Sequence, residues 1–393
     1  MAYEQLNLLI NADNQLRRYY LYKGLDLRSY AEFNKDISSL QISIRGSDYK
    51  NETLSCKADD SFGIFVDKLL AENFIKSYDS IDKIGIKLKV PSSRFLKDLI
   101  IDDSIIADME FAKSYSPTLV TAQLEEIYKV RQKFPSKMLA GLSDSAFNIS
   151  KPAKAWNYGI DLYLADHLDI KRFGFFGLSS QFVVDILKSD LPDRLLICHI
   201  SDTGIGLTAV KNGKCIDHTS GYAESDGPFS GQSSGSIAFN AIRRMKDHMN
   251  LNDYDMTIHL SEFSGLKGLS RSALSMQNIT AQSKNSSAES KIAVDSFVYS
   301  LQKQIGSQVA ALGGIDCLVF TGTIGASNAW LRHQIVKDLE CFGLLIDKDK
   351  NIKNNNLEKV SEIHKRTRVN KILIIPSKEE ILMAQILRSS KFN

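Results

Sequence analysis

The side chains best placed to do chemistry stand at the ends of apolar runs. Asn11 follows Leu6-Asn7-Leu8-Leu9-Ile10, Asp144 sits in the polar run Ser143-Asp144-Ser145, and Glu379 lies within Lys378-Glu379-Glu380. Polar side chains in such turns can face a ligand. Each residue also has a plain structural use. Asn11 can close an Asx turn, Asp144 can cap Ser145, and Glu379 can begin a helix whose dipole favours an acid there. Both readings stand at this level. A glycine turn, Thr321-Gly322-Thr323-Ile324-Gly325, closes another apolar run. The glycine-rich stretch Gly227–Gly235 has no lysine to reach a phosphate, so it is not a P-loop. No GxGxxG follows a strand, no HExxH or close histidine pair occurs, and no GxSxG elbow is present. The basic cluster His364-Lys365-Arg366 with Arg368 lacks interleaved aromatics. It reads as a solvated face beside a strand rather than a nucleic-acid patch.

Composition narrows the class. The 393 residues are 43% hydrophobic, 24% charged and 9% aromatic, which suits a globular chain of two domains. Lys+Arg 49 against Asp+Glu 46 gives +3, so bulk charge makes no case for nucleic acid or anionic lipid. The start Met1-Ala2-Tyr3-Glu4-Gln5 lacks the pattern of a signal peptide, and no apolar run is long enough to span a bilayer. Five scattered cysteines, never in a CxxC pair, argue against a disulfide framework or a thiolate zinc site and suit a reducing cytoplasm.

The elements that must position these residues follow from periodicity. Phe297, Leu301, Ile305, Val309 and Leu312 form one helix face, stopped by Gly313-Gly314. A buried strand follows at Ile315–Phe320, then the glycine turn, then a helix over Asn328–Leu339. That order is α/β grammar. Leu195–Ile200 reads as a strand that turns at Ser201–Gly204, returns as Leu207–Val210 and turns again at the hairpin dipeptide Asn212-Gly213. Leu6–Ile10, the turn Asn11–Asn14 and the return Arg18–Tyr22 repeat the plan. Two copies of one α/β unit are expected, with Asn11 and Asp202 facing one cleft. Ala281–Ser290 and Lys348–Lys359 read as surface loops.

In order along nearly the whole chain, the segments resemble the acetate/propionate kinase family. Lys171-Arg172-Phe173-Gly174-Phe175-Phe176-Gly177-Leu178-Ser179-Ser180 is similar to RRYGFHGTSH, and Val319–Gly325 to VFTGGIG. His199 to Lys214, with Asp217, resembles HLGNGAS…AVKNGKSVDT. Gly221–Gly235 lies over GFTPLEGLMMGTRSG, Ser264–Ser270 over SGLLGxS, and Lys378-Glu379-Glu380 over the closing TNEE. The resemblance implies a two-lobed, duplicated RNase H-like (actin-like ATPase) fold. The first lobe would span 1–148 plus about 377–393 and the second 149–376. It further implies ATP and Mg²⁺ as cofactors, a short carboxylate as acceptor and a homodimer formed through the second lobe.

Carried over position by position, the resemblance assigns Lys87 and Asp144 to catalysis, Lys87 replacing the family's first arginine. It assigns Asn11, Arg18, His199, Asp202, Gly322 and Gly325 to nucleotide binding, and Asn11 and Glu379 to the metal. Many other family positions are changed. The second arginine becomes Ser233, the histidines of GFHG and GTSH become Phe176 and Ser180, and that of APLHNP becomes Tyr115. Phe176 and Tyr115 read as packing residues. Asp13 and Asp202 put acids where phosphates should pass, and Ser275-Met276-Gln277 replaces DxR on the adenine side. Arginine aimed at a transferring phosphoryl group contributes ~10³–10⁵ in rate, so these changes imply an impaired acetate kinase. The alternative is an active carboxylate kinase with a rebuilt site.

Overall fold

A computed structural model describes residues 4–45, 49–201, 204–223, 226–271, 278, 287–354, 359–365 and 370–392. Asp202, Ser275-Met276-Gln277, Arg366 and Arg368 lie outside the described residues, as does most of 281–290. The chain divides into two compact units. One comprises Met1–Val90, Lys97–Asp144 and Lys378–Asn393, and the other Pro91–Leu96 and Ser145–Ser377.

The first unit holds β1 (Leu6–Ala12), β2 (Leu16–Lys23), β3 (Asp26–Asn34), β4 (Ser39–Arg45), β5 (Tyr49–Ser55), β6 (Lys83–Leu88), β7 (Leu99–Ile100) and β8 (Leu139–Ser143). Its sheet order is β5-β4-β3-β2-β1-β6-β8-β7. Strands β1 to β5 form an antiparallel meander, whereas β6 runs parallel to β1 and β8 parallel to β6. β6 is buried at every residue, as a parallel strand covered on both faces should be. The C-terminal helix Glu379–Arg388 packs back on this sheet. A methyl at Gly85 would meet Leu387 at 3.3 Å and Leu9 at 3.2 Å, so glycine there lets helix and sheet approach closely.

The second unit repeats the plan. β9 (Arg194–Ser201), β10 (Gly204–Lys211), β11 (Lys214–His218), β12 (Cys317–Thr321), β13 (Ser361–Glu362) and β14 (Lys371–Ile374) assemble in the order β11-β10-β9-β12-β14-β13. β9, β10 and β11 are antiparallel, and β12 and β14 continue in parallel. Thus β3-β2-β1-β6-β8 and β11-β10-β9-β12-β14 are the same five-stranded arrangement. The long helix Ala288–Leu312 buries Phe297, Leu301, Ile305, Val309 and Leu312 and ends at Gly313 in the left-handed conformation, φ 73°.

Local differences from the sequence reading have simple causes. Gly322–Ser327 is a short helix, not only a turn, because Gly322 at φ 80° redirects the chain and the backbone then coils. Lys348–Lys353 is helical within the expected loop, its start capped by Asp347 accepting from the Lys350 amide. Tyr115 is exposed rather than packed in a core. Its ring lies 5.5 Å from that of Phe111, itself exposed. The five cysteines are free, and among the described residues no helix is long and apolar enough to cross a membrane.

Candidate active site

Parallel strands bring their C-terminal ends to one edge of a sheet, which is where α/β sheets gather functional groups. In the first unit, Asn11 lies near the end of β1, Lys87 near the end of β6, and Asp144 one residue past β8. The Asp144 amide donates to the Leu88 carbonyl at 2.9 Å, extending the β6–β8 pairing and fixing the carboxylate beside Lys87. Glu379, the first residue of the C-terminal helix, supplies a fourth group from a distant part of the chain. Lys87 Nζ lies 2.7 Å from Glu379 Oε2 and 3.3 Å from Asp144 Oδ1. Asn11 Nδ2 donates to Glu379 Oε1 at 2.9 Å. Lys87 is 4% exposed and Asp144 fully buried. Burial opposes the lysine charge, but the two carboxylates outweigh it and hold its pKa above the ordinary lysine value.

These residues do not fit a Mg²⁺ site. The position between the carboxylates holds an ammonium group, and Asn11 turns its N–H, not its carbonyl, toward Glu379. Among the described residues no cluster of three or more His, Cys, Asp or Glu side chains is arranged to hold a metal. Asp13 makes a turn, its Oδ1 accepting from the amides of Gln15 at 3.0 Å and Leu16 at 2.8 Å. Arg18 pairs with Glu32 at 2.6 Å, and Tyr30 donates to the same carboxylate. Glu380, beside Glu379, has its pKa pushed up to about 7, chiefly by burial and then by Glu379. Nothing in the sequence alone marked it as titrating near neutrality.

In the second unit, His199 near the end of β9 is buried, with Nδ1 2.9 Å from Ser179 Oγ. Ser179 Oγ in turn lies 3.2 Å from Ser377 Oγ, just before the last helix. Phe176 immediately precedes the helix Gly177–Leu187 and holds the left-handed conformation, φ 62°, a region that bulky residues rarely adopt. Its ring lies 4.6 Å from the His199 ring and stacks on His218 at 6.2 Å. Gly204 and Gly206 make room for it, since a methyl at Gly206 would meet Phe176 Cδ2 at 2.5 Å. Phe176 is therefore a packing residue. Ser180 Oγ is likewise turned inward, 2.9 Å from Thr208 Oγ1.

Gly322 and Gly325 bring the helix Gly322–Ser327 onto β9. A methyl at Gly322 would approach the Ile200 carbonyl to 2.5 Å and His199 Nε2 to 3.0 Å. Arg332 locks the far end of that helix, donating to the carbonyls of Gly325 at 2.8 Å and Ala326 at 2.7 Å and to Asn351 Oδ1 at 2.8 Å. Sequence reasoning missed this fully buried arginine, although a guanidinium between Leu331 and the apolar pair Ile335-Val336 was a visible signal. Ser233 is buried, and its Oγ has no hydrogen-bond partner among the described residues. His364 and Lys365 of the basic cluster are tied to a neighbouring strand, His364 bridging Ile346 and the Lys365 amide donating to the Leu345 carbonyl.

Thus Asn11, Lys87, Asp144 and Glu379 are brought together in the first unit, and His199, Gly322 and Gly325 in the second. Arg18 is engaged with Glu32.

A sequence model of the Acetokinase family matches residues 28–385. Acetate kinase of Caldicellulosiruptor saccharolyticus is 30% identical over 316 residues, covering 79% of each chain. That of Treponema denticola is 27% identical over 395 residues, covering 96% of this chain and 98% of its own. In three dimensions, a propionate kinase from Francisella tularensis superposes with a TM-score of 0.85 at 23% identity, over 97% of this chain and 98% of that one. With the repeated five-stranded unit, the match over most of the sequence and the shared α/β two-lobed fold, the chain belongs to the acetokinase family.

Proposed function

We propose that this chain is an acetokinase-family protein whose phosphoryl transfer between ATP and a short carboxylate is impaired, and that it serves as a binding or regulatory homologue. The observation that carries the reading is Phe176 packed on His199. Transfer through a loose transition state needs donors and cations around the moving phosphoryl group, with little covalent work for the protein. Where the family presents a histidine, this chain presents a hydrocarbon ring that two glycines are shaped to receive. Ser233 adds to the loss, because a buried hydroxyl replaces an arginine charge.

The second reading, an active carboxylate kinase, is favoured by one observation. Asn11 and Lys87 both reach Glu379, and Lys87 also lies 3.3 Å from Asp144. ATP and Mg²⁺ would then be used as in the family, with the nucleotide held by Asn11, Arg18, His199, Asp202, Gly322 and Gly325. On either reading the functional lobes are taken as 1–148 with about 377–393, and 149–376, in a cytoplasmic protein.

A coupled assay for acyl phosphate from Mg²⁺-ATP and acetate or propionate, beside a nucleotide titration, separates the readings. Trace turnover supports the first. Robust turnover abolished by Asp144→Asn overturns it and makes Asp144 a catalytic residue.

We also propose a homodimer formed through the second unit. The helix Phe239–Met249 buries none of its residues, although Phe239 is 75% exposed and Ile237 and Met249 flank it. An amphipathic helix left this bare suits a second copy of the chain. Sedimentation at micromolar concentration showing a monomer would refute it.

A further inference from the structure

We propose that the Lys87 ammonium is a built-in cation that stands in place of a divalent metal between Asp144 and Glu379, so that the folded protein takes no metal there. The inference deepens the impaired-kinase reading at the same group of residues and rests on it for the family position of Glu379. The carboxylates come from separate elements, the end of β8 and the start of the C-terminal helix, and they converge on one point. That point holds Nζ, 2.7 Å from one carboxylate oxygen and 3.3 Å from another. The second oxygen of Glu379 accepts from Asn11, so both of its oxygens face N–H donors.

Mg²⁺ demands oxygen ligands in near-octahedral array and keeps several waters. A buried ammonium between two carboxylates occupies the same position with no open water positions and offsets one of their two charges. Lysine suits this better than arginine, because its charge is compact and sits on an unbranched stem, whereas a guanidinium presents a wide planar fork. The stem is held rigidly by β6, paired on both sides by β1 and β8. The charge therefore cannot leave without stranding the fully buried Asp144 and the largely buried Glu379.

The test uses Mn²⁺ alone as a spin probe, titrated into the full chain without nucleotide and followed by electron paramagnetic resonance. Wild type should show no saturable site up to about millimolar Mn²⁺ that Glu379→Gln removes. Lys87→Ala should gain a saturable site with an apparent dissociation constant roughly tenfold or more below the millimolar limit of the wild-type titration. Mn²⁺ should raise the melting temperature of this variant and not that of wild type. Should Lys87→Ala fail to fold, Lys87→Gln retains the stem without the charge and carries the same expectation.

A saturable wild-type site lost in Glu379→Gln would overturn the proposal. So would a folded Lys87 variant that gains no site. The kinase reading fails separately, by robust acyl phosphate formation, which the nucleotide-free metal titration does not measure.

Discussion

His218 should make the protein acid-sensitive well above the range in which carboxylates titrate. The residue ends β11 and is buried, between Gly174 and Gly206, whose added methyls would meet its ring at 3.1 and 3.0 Å. Its Nδ1 accepts from the Ser220 amide at 2.9 Å, which leaves the ring proton on Nε2, a buried atom with no hydrogen-bond partner among the described residues. Burial, the nearby charges of Lys151 and Arg172, and His199 together push its pKa down from 6.5 to about 3. The folded pKa is thus depressed below the unfolded one. The unfolded chain takes up a proton as pH falls through 6.5, while the folded chain refuses it until about 3. The contribution is fully present above the unfolded value and is lost progressively between the two. Each unit of that window costs about 1.4 kcal/mol. Going from about pH 7 to about pH 5 should therefore remove roughly 2 kcal/mol of stability through this residue alone. Urea unfolding of wild type and His218→Asn at both pH values measures it. Asparagine can accept from the Ser220 amide and does not titrate, so acid losses common to both proteins cancel in the difference. The gap between the two proteins should shrink by roughly 2 kcal/mol on acidification. Equal pH dependence of the two would refute the reasoning.

Other perturbations test the framework around the site. Lys87→Met leaves the carboxylates of Asp144 and Glu379 without their cation and should cost about 3–5 kcal/mol in chemical denaturation; a loss below about 1 kcal/mol would mean that the cluster is not effectively desolvated. Gly206→Ala should destabilise by about 1–3 kcal/mol through collision with Phe176. Combining it with Phe176→Ala should recover part of that cost, and strictly additive losses would show that the two do not meet. Arg332→Lys keeps the charge but cannot reach the carbonyls of Gly325 and Ala326 together with Asn351; unfolding measurements should show a loss of about 2 kcal/mol or more.

Much of the architecture was legible along the chain because it rests on local periodicity and turn chemistry. The four-residue stripe from Phe297 to Val309, its stop at Gly313-Gly314 and the strand that follows all stand where the pattern put them. The hairpin at Asn212-Gly213 does as well, since both residues hold the positive φ that the turn requires. The ordered blocks from Lys171 to Glu380 carried the family, because a run of degraded motifs in one order survives substitution within each of them. The sequence could also say that Lys87 is cationic and that Asp144 and Glu379 are acidic. It could not say that these three groups pair with one another, because they are separated by up to 292 residues and meet only through parallel strand pairing and the return of the last helix. Nor could it tell that Phe176 packs against His199 while Tyr115, another aromatic at a family histidine position, stays in solvent. An aromatic side chain is apolar enough for either fate. The glycines that face Phe176 from β10 decide it, and only the folded sheet brings them there.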